Sequence, residues 1–328
     1  MKRSVYLSQP GVLKCLGDAL CFNSADGNSE WIPLDDAREI LIYGDVAFDK
    51  PLLDCCTDNR IILHFFDRYG YYSGSYYPRL HHNSAFVTLK QAEHHMDYDK
   101  RLAIALSLAR GAVGNILHVL QYHHELGDDV LVHLREVEAQ AALLDGSRSL
   151  DLLRKIVGTA REVYYSSLDV LLDLPDFRFR QRSRQPPDNP LNALISFGNS
   201  LLYAQALSCI YQTRLDPRIG FLHDKEFDRF NLHLDVAEVF KPILVGRTIF
   251  VLLVERQELT KADFVEEKDG ILLTDRGKQV FLAEWEARLA KAVSQKNGDS
   301  MASTYRELIK TEMDKLERHA SFAGYASG

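Results

Sequence analysis

Residues 176–203 read DFRFRQRSRQPPDNPLNALISFGNSLLY, an arginine-rich loop followed by a nearly apolar segment. Four arginines of the loop fall at every second residue, so an extended backbone would project them to one side. They are Arg178, Arg180, Arg182 and Arg184. A solvated loop paired with acidic neighbours would look similar, but the prolines of the loop restrict its backbone and favour phosphate recognition by the guanidinium groups. The apolar segment, residues 191–211, predicts a buried helix.

A second informative stretch, residues 220–242, reads GFLHDKEFDRFNLHLDVAEVFKP. A helix is predicted from about Leu232, and three-residue spacing puts Asp235 and Glu238 on one of its faces. With His223 before the helix, these residues form a nitrogen and oxygen ligand set that suits Mn²⁺ or Mg²⁺. A loop histidine beside two solvated carboxylates would show the same spacing. The neighbouring arginines favour a metal site that acts on phosphodiesters.

Composition sets the broad class of the protein. The chain has 328 residues, of which 46% are hydrophobic and 26% charged, as in globular proteins with room for two domains. The net charge of −7 means that any nucleic-acid binding must come from local patches. No long apolar run or leader pattern occurs, so we expect a cytoplasmic protein without membrane association. Five cysteines without CxxC spacing predict reduced packing residues rather than a disulfide framework or a zinc ribbon.

The hydrophobic periodicity changes once along the chain. The first eighty or so residues hold β-branched and aromatic runs such as EILIYGDV and RIILHFF, whereas the period is helical from about Ser84 onward. We therefore predict an α+β protein, with an N-terminal β domain at residues 1–83 followed by a larger all-α C-terminal catalytic domain at residues 84–328. Apolar residues at three- and four-residue steps predict a helix over residues 150–172 and two amphipathic helices in the tail.

These segments resemble those of the CRISPR-associated integrase that inserts new spacers into CRISPR arrays. The resemblance runs from SVYL through YGYYSGSYYPR, RSRQPPDNPLNALISFGNSLLY, DPRIGFLH and LDVAEVFKP to the ERHA tail, and so covers nearly the whole chain. It implies an N-terminal domain that dimerises and a helical domain that binds metal and DNA. The implied activity is that of a metal-dependent DNA integrase and endonuclease using Mn²⁺ or Mg²⁺, in which 3′-hydroxyls attack phosphodiester bonds at the repeat ends.

The resemblance also implies partners and roles for individual residues. The partners are double-stranded and branched DNA, a second copy of the chain, a small CRISPR-associated protein and, as an option, an exonuclease-like processing protein. His223 and Glu238 match two of the family's metal ligands, and Asp235 matches an accessory acidic residue, so these three are the candidate catalytic residues. The candidate DNA contacts are the four loop arginines and Arg247.

Two positions depart from the family's pattern. The family's first metal ligand is a glutamate in a segment reading roughly I-E-G-N-A-R-x-x-Y-Y, and this chain has IVGTAREVYY at residues 156–165, with Val157 at the ligand position. A buried glutamate is costly unless it is paired, whereas valine needs no partner. Gly246 stands where the family typically has an aspartate. We therefore predict poor nuclease and integration activity.

Several interpretations fit these departures. The chain is a natural member with weakened catalysis, a protein that recruits another ligand such as Asp235, or a sequence altered at these positions. An alternative function is that of a non-catalytic, DNA-holding architectural subunit of the adaptation complex. A DNA-binding regulator is disfavoured because no helix shows a compact helix-turn-helix signal or a basic recognition face.

Overall fold

The computed structural model of the chain describes residues 2–67, 69–78, 84–183, 186–223, 230–268, 270–293 and 303–321. It divides into two compact units, Met1–His82 and Asn83–Gly328. The first unit is rich in strands and the second is mostly helical, which confirms the predicted α+β class. The second unit is not purely helical, because its described residues also form two small two-stranded sheets.

The described residues of the first unit form eight strands, arranged in two four-stranded sheets, and one helix. One sheet has the order β1-β5-β7-β8, with β1, β5 and β7 parallel and β8 antiparallel, and the other has the order β4-β3-β2-β6. The elements are β1 (Arg3–Leu7), β2 (Gly11–Leu16), β3 (Ala19–Ser24), β4 (Ser29–Pro33), β5 (Ala37–Ile42), β6 (Val46–Phe48), α1 (Lys50–Asn59), β7 (Ile62–Phe66) and β8 (Tyr72–Tyr76).

The core of the first unit is built from side chains of both sheets and of α1. Leu13, Ile40 and Leu63 are among its fully buried members. Next to this core the structure corrects one prediction, since Cys15 of β2 and Cys55 of α1 form a disulfide. The other three cysteines of the chain are free and buried, as predicted. The pairing depends on how α1 packs against β2, which the spacing of the cysteines in the sequence does not reveal.

The second unit is a helical assembly with α3 and α6 among its longest members. Its helices are α2 (Ala85–Met96), α3 (Tyr98–Glu125), α4 (Leu131–Ala142), α5 (Leu150–Leu172), α6 (Pro190–Ile210), α7 (Leu232–Phe240), α8 (Arg247–Phe250), α9 (Asp275–Ala290) and α10 (Tyr305–Ser321). The small strands are β9 (Phe264–Glu267), β10 (Gly270–Leu273), β11 (Ala292–Val293) and β12 (Ser303–Thr304). The predicted amphipathic tail helices correspond to α9 and α10.

Helices α5 and α6 form where the sequence predicts them. Ser149 caps α5 by accepting a hydrogen bond from the backbone N–H of Leu152, and the apolar stripe of α5 is buried. Helix α6 begins at Pro190 after its cap Asn189 and is buried along almost its whole length. By length and composition α3 and α6 could each cross a membrane, but the apolar part of α6 is 94% buried within the chain, as in the core helix of a globular unit.

Helix α7 lies against both α3 and α6. After α7 the chain continues as a π-helical segment, Pro242–Gly246, then α8, then a second π-helical segment, Val251–Glu255. Single π-helical turns often occur at functional sites in proteins. Here they follow directly on the helix that carries Asp235 and Glu238, two of the candidate site residues.

Candidate active site and nucleic-acid interface

Asp235 organises the loop that carries His223. It lies in the first turn of α7 with no exposed surface, and its Oδ2 accepts hydrogen bonds from the backbone N–H groups of Phe221 (2.5 Å) and Leu222 (3.0 Å). Its Oδ1 accepts from the His223 backbone N–H at 2.8 Å and from the imidazole Nδ1 at 2.7 Å. Since the carboxylate can only accept, Nδ1 is the donor of this hydrogen bond. Asp235 is a positioning residue, and both of its oxygens are occupied.

Gly220 allows the loop to approach this carboxylate. A Cβ atom at Gly220 would lie 2.9 Å from Oδ2 of Asp235 and 2.7 Å from Cβ of Asn231. Those distances are too short for carbon against either atom, so a larger residue would push the loop away from α7. The glycine of the GFLH motif is therefore required for the hydrogen bonds that orient His223.

Two arginines hold the same loop from the other side. Arg101 of α3 donates from Nε to the carbonyl of Phe221 at 3.0 Å, and Arg154 of α5 donates from Nη1 to the carbonyl of Leu222 at 3.0 Å. The loop is thus tied to three helices. His223 keeps 32% of its side chain exposed and is nevertheless fixed in orientation.

Glu238 follows Asp235 by one turn of α7 and is also buried. Its Oε1 accepts hydrogen bonds from Arg161 Nη1 at 2.7 Å and from Lys241 Nζ at 2.6 Å, and His223 Nε2 lies 3.9 Å away from the same oxygen. Burial alone would raise the pKa of Glu238, but the charges of Lys241 and Arg161 outweigh it and hold the pKa below its usual range. The carboxylate is therefore charged at neutral pH and already neutralised by two side chains.

Val157 lies on the face of α5 that meets these residues. Arg154, three residues earlier, holds the loop of His223, and Arg161, four residues later, holds Glu238. Positions three and four residues apart share one face of a helix, so the side chain at 157 lies between the two contacts. Val157 is 3% exposed and offers only methyl groups. The side chain at 157 therefore supplies no donor atom between these two contacts.

The residues present do not complete a divalent metal site. Val157 has no donor atom, the oxygens of Asp235 are taken up by four N–H groups, and Glu238 is bonded to two cations. Within the described ranges no group of three or more His, Cys, Asp and Glu side chains is arranged to hold a metal ion. His223 and Glu238 alone provide fewer protein ligands than catalytic metal sites usually have.

Gly246 lies in the π-helical segment after α7. A Cβ atom there would lie 1.9 Å from the hydroxyl oxygen of Tyr164, a buried residue of α5. Tyr164 thus occupies the space that an aspartate at 246 would need. The next residue, Arg247, donates to Glu255 at 2.6 Å and lies over the ring of Phe250, 5.3 Å from its centroid.

In the loop that begins after α5, side chains alternate between buried and exposed positions. This alternation, which the sequence suggests for the whole loop, holds for only part of it. Phe177 and Phe179 are buried, whereas Arg178 and Arg180 are exposed. In the described part of the chain neither arginine is hydrogen-bonded through its side chain, so both are available to a partner. The backbone then turns at Arg180, which has a φ of 53° and leaves the extended conformation.

Arg182 does not continue the row. It is half-buried and donates from Nη1 to Asn192 Oδ1 at 3.0 Å and from Nη2 to Ser196 Oγ at 2.9 Å, both on α6. The expectation of four arginines on one side is therefore wrong at Arg182, because this guanidinium anchors the loop to α6. Arg184 lies outside the described residues.

Three participants of this site were not singled out by the sequence. Arg161 and Lys241 converge on Glu238, and His233 is buried between the rings of Tyr203 and Phe230. The contact of Lys241 with Glu238 could have been predicted from helical spacing, because Lys241 follows Glu238 by three residues. Only the tertiary fold, in which α5 and α7 both pack against α3, brings Arg161 into the group.

His233 is expected to make stability depend on pH. Burial, with the nearby charges of His223 and Lys241, lowers the pKa of His233 from 6.5 to about 3. The folded chain therefore keeps His233 neutral while the unfolded chain takes up a proton below pH 6.5, so stability falls as the pH falls. We expect a loss of about 2 kcal/mol between pH 7 and pH 5 from this residue. Urea unfolding at the two pH values measures it.

The matched variant for this measurement is His233→Phe, which keeps a ring between its aromatic neighbours but cannot titrate. The loss of stability between the two pH values should be smaller in the variant by that amount. An identical pH dependence in both proteins would contradict the assignment of His233 as a buried neutral histidine.

Comparison of the chain with known proteins identifies related proteins. The family model described as CRISPR associated protein Cas1 matches residues 5–287. The CRISPR-associated endonuclease Cas1 2 of Thermodesulfovibrio yellowstonii is 44% identical over 320 residues, which is 97% of this chain and 96% of that protein.

Solved structures agree with this assignment. A Cas1 protein from Thermotoga maritima superimposes with a TM-score of 0.88 at 38% identity and covers 99% of both chains. A casposase bound to integration product superimposes with a TM-score of 0.81 over 98% of this chain and 91% of that chain, and at 20% identity this likeness concerns the fold alone. The chain belongs to the Cas1 family of CRISPR-associated proteins.

Proposed function

We propose that this chain serves in CRISPR spacer acquisition as a DNA integrase and endonuclease of the Cas1 type whose own metal-dependent chemistry is impaired. The observation that carries the proposal is the position of Val157, between the two arginine contacts that hold the loop of His223 and the carboxylate of Glu238. The scaffold for the chemistry is thus retained while one ligand is missing. Mn²⁺ or Mg²⁺ is the cofactor proposed for a completed site.

In this proposal each part of the site has a defined role. Asp235 holds the imidazole of His223 with Nε2 free, and Glu238 supplies the remaining carboxylate. Arg178 and Arg180 contact phosphates of double-stranded or branched DNA, since both are exposed. The proposed assembly contains a second copy of the chain and a small CRISPR-associated partner in the cytoplasm, with or without an exonuclease-like processing protein.

A second function is favoured by a different observation. Glu238 is neutralised by Arg161 and Lys241 without any metal ion, so the centre is electrostatically complete as it stands. A chain of this kind would hold DNA as a non-catalytic architectural subunit. Strand-transfer assays separate the two functions, because an impaired enzyme keeps weak divalent-metal-dependent activity and an architectural subunit has none.

The DNA-contact loop offers a direct test of binding. We expect the double variant Arg178→Gln/Arg180→Gln to bind branched or splayed duplex ends more weakly. Loss of two phosphate contacts should reduce the slope of log K against log salt concentration by about 2. Fluorescence anisotropy at several salt concentrations measures both quantities on the same labelled DNA.

Arg182→Gln is the matched control, since this guanidinium is bonded to α6. It should lower the free energy of unfolding and leave the salt slope nearly unchanged. If the double variant retained the wild-type slope and Arg182→Gln reduced it, the assignment of the exposed arginines to DNA would be wrong. Preference for one operator sequence over branched ends would argue instead for a regulator.

A further inference from the structure

A cavity of about 220 Å³ lies in the helical unit, and its lining includes Tyr164, Gly246 and Arg247, which were described above with the candidate site. Its walls come from α3, α5, the π-helical segment after α7, α8, α9 and the start of α10. Neither His223, Asp235 nor Glu238 lines it, and the described lining includes no acidic residue. Its charged residues are Arg247, Arg288 and Lys291. A cavity with three cations and no carboxylate in its described walls is suited to an anion.

Arg288 is held in a fixed orientation within this cavity. Its Nε and Nη2 donate to the carbonyl of Ile243 at 3.1 and 2.8 Å, and Nη2 also donates to the hydroxyl of Tyr305 at 2.9 Å. The guanidinium lies over the Tyr305 ring, 4.4 Å from its centroid. Among the residues that the structure describes, none accepts a hydrogen bond from Nη1. A preorganised guanidinium with one nitrogen unused can bind a ligand with little loss of side-chain entropy.

The other two cations, Arg247 and Lys291, add positive charge to the cavity. Burial lowers the pKa of Arg288, and the charge of Arg247 acts in the same sense, whereas Tyr305, Glu284 and Glu255 act in the opposite sense. Like charges therefore lie close enough to repel each other. Arg247 is bonded to Glu255, but that carboxylate is 44% exposed and such a surface pair contributes little.

Lys291 follows α9 and is exposed at the cavity. Over the described ranges its ammonium group has no hydrogen bond or ion pair. Arg288 and Lys291 thus contribute two positive charges that no side chain of the described lining offsets. An anion placed between them and Arg247 would relieve the repulsion.

We propose that this cavity is a binding site for a phosphate group carrying two negative charges, as in inorganic phosphate or a terminal phosphate of a DNA strand. Forked guanidinium donors match the geometry of phosphate oxygens. The volume is below that of sites for drug-sized molecules, which favours a small ligand or the end of a larger one. The DNA-end form rests on the proposed function, whereas binding of free phosphate does not.

The first test is calorimetric titration of inorganic phosphate into the full chain at constant ionic strength. We expect a Kd of about 1 mM or tighter. Lys291→Gln and Arg247→Gln should each weaken binding about tenfold, and the double variant should not bind. Lys14→Gln, a change at an exposed lysine of the first unit, should bind like the unaltered chain.

The second arm separates the two sources of phosphate. The same proteins are titrated with duplexes of one sequence, with and without a terminal phosphate. Preference for the phosphorylated duplex that disappears in the double variant assigns the cavity to DNA ends. Equal affinity for both duplexes, with phosphate binding intact, assigns it to the free anion.

The proposal is overturned if inorganic phosphate fails to bind the unaltered chain or binds the double variant equally well. Should Arg247→Gln impair folding, Lys291→Gln decides alone, because its side chain makes no hydrogen bond within the described residues. Loss of phosphate binding would leave the salt-dependent DNA binding through Arg178 and Arg180 intact. Failure of this proposal is therefore distinct from failure of the proposed function.

Discussion

Val157→Glu is expected to raise cleavage and strand transfer by at least about 100-fold in the presence of Mn²⁺ or Mg²⁺. The substitution places a carboxylate on the face of α5 between the contacts to the His223 loop and to Glu238. Loss of a residue that only supports a metal ligand typically lowers metal affinity or activity by about 10–100-fold. The gain of a ligand itself should therefore raise activity by about the upper end of that range or more. The measurement is the rate of product formation on labelled branched DNA.

His223→Ala in both backgrounds tests whether this gain passes through the described site. The alanine should abolish the activity that Val157→Glu creates. Val157→Gln serves as the matched control, because it has nearly the same shape as glutamate without its charge, and it should remain close to the unaltered chain. If the unaltered chain is already fully active and Val157→Glu adds nothing, the assignment of position 157 as the missing ligand is wrong.

Glu238→Gln is expected to lower the free energy of unfolding by about 3–5 kcal/mol, the usual result when one partner of a buried ion pair is removed. Two cations, the buried Lys241 and the half-buried Arg161, would lose the carboxylate that both contact. The effect should be partly reversed in the double variant Glu238→Gln/Lys241→Met, which removes one of the unpaired charges. Urea unfolding at neutral pH measures all three proteins.

The control for this prediction is Glu138→Gln on α4. Glu138 is paired with Arg135 at 2.8 Å, but the two side chains are 37% and 72% exposed, so little change is expected. Equal effects of the two substitutions would contradict the buried, doubly paired state of Glu238.

The ion pairs of Glu238 with Arg161 and Lys241 should also make the stability of the fold depend on pH in the acidic range. Because the folded state holds the pKa of Glu238 below its ordinary value of 4.5, its contribution to stability is present above that pH and is lost as the pH falls below it. Between pH 7 and pH 5 the change in stability comes mainly from His233, whereas below about pH 4.5 both groups contribute, because the folded-state pKa of His233 is about 3. Unfolding curves of His233→Phe below about pH 4.5 therefore report the contribution of Glu238 without that of His233.

Local periodicity predicted the elements that carry the site. The apolar stripe of α5 and the nearly continuous apolar run of α6 determine those helices, because each buries its hydrophobic surface in the second unit. Three-residue spacing on α7 likewise placed Asp235 and Glu238 on one face, and the structure brings both towards His223. Features that depend on residues close together in the sequence could thus be predicted from it.

Features that depend on contacts between residues far apart in the sequence could not be predicted from it. Arg161 and Glu238 are 77 residues apart in the sequence, and they become partners only because α5 and α7 both pack against α3. The left-handed backbone at Arg180 likewise interrupted a row of arginines that an extended strand would have aligned. The separate role of Asp235, as a support for His223 rather than a free ligand, depends on a loop that folds back onto α7.

The most direct test of the account is a titration with Mn²⁺ followed by electron paramagnetic resonance, in which the signal of the free aqueous ion reports what remains unbound. The unaltered chain is predicted to show no stoichiometric site, because Val157 supplies no ligand and Glu238 is held by two cations. Val157→Glu is predicted to bind one ion per chain and to lose it when His223 is changed to alanine. Stoichiometric, His223-dependent Mn²⁺ binding by the unaltered chain would contradict the central claim that its metal centre is incomplete.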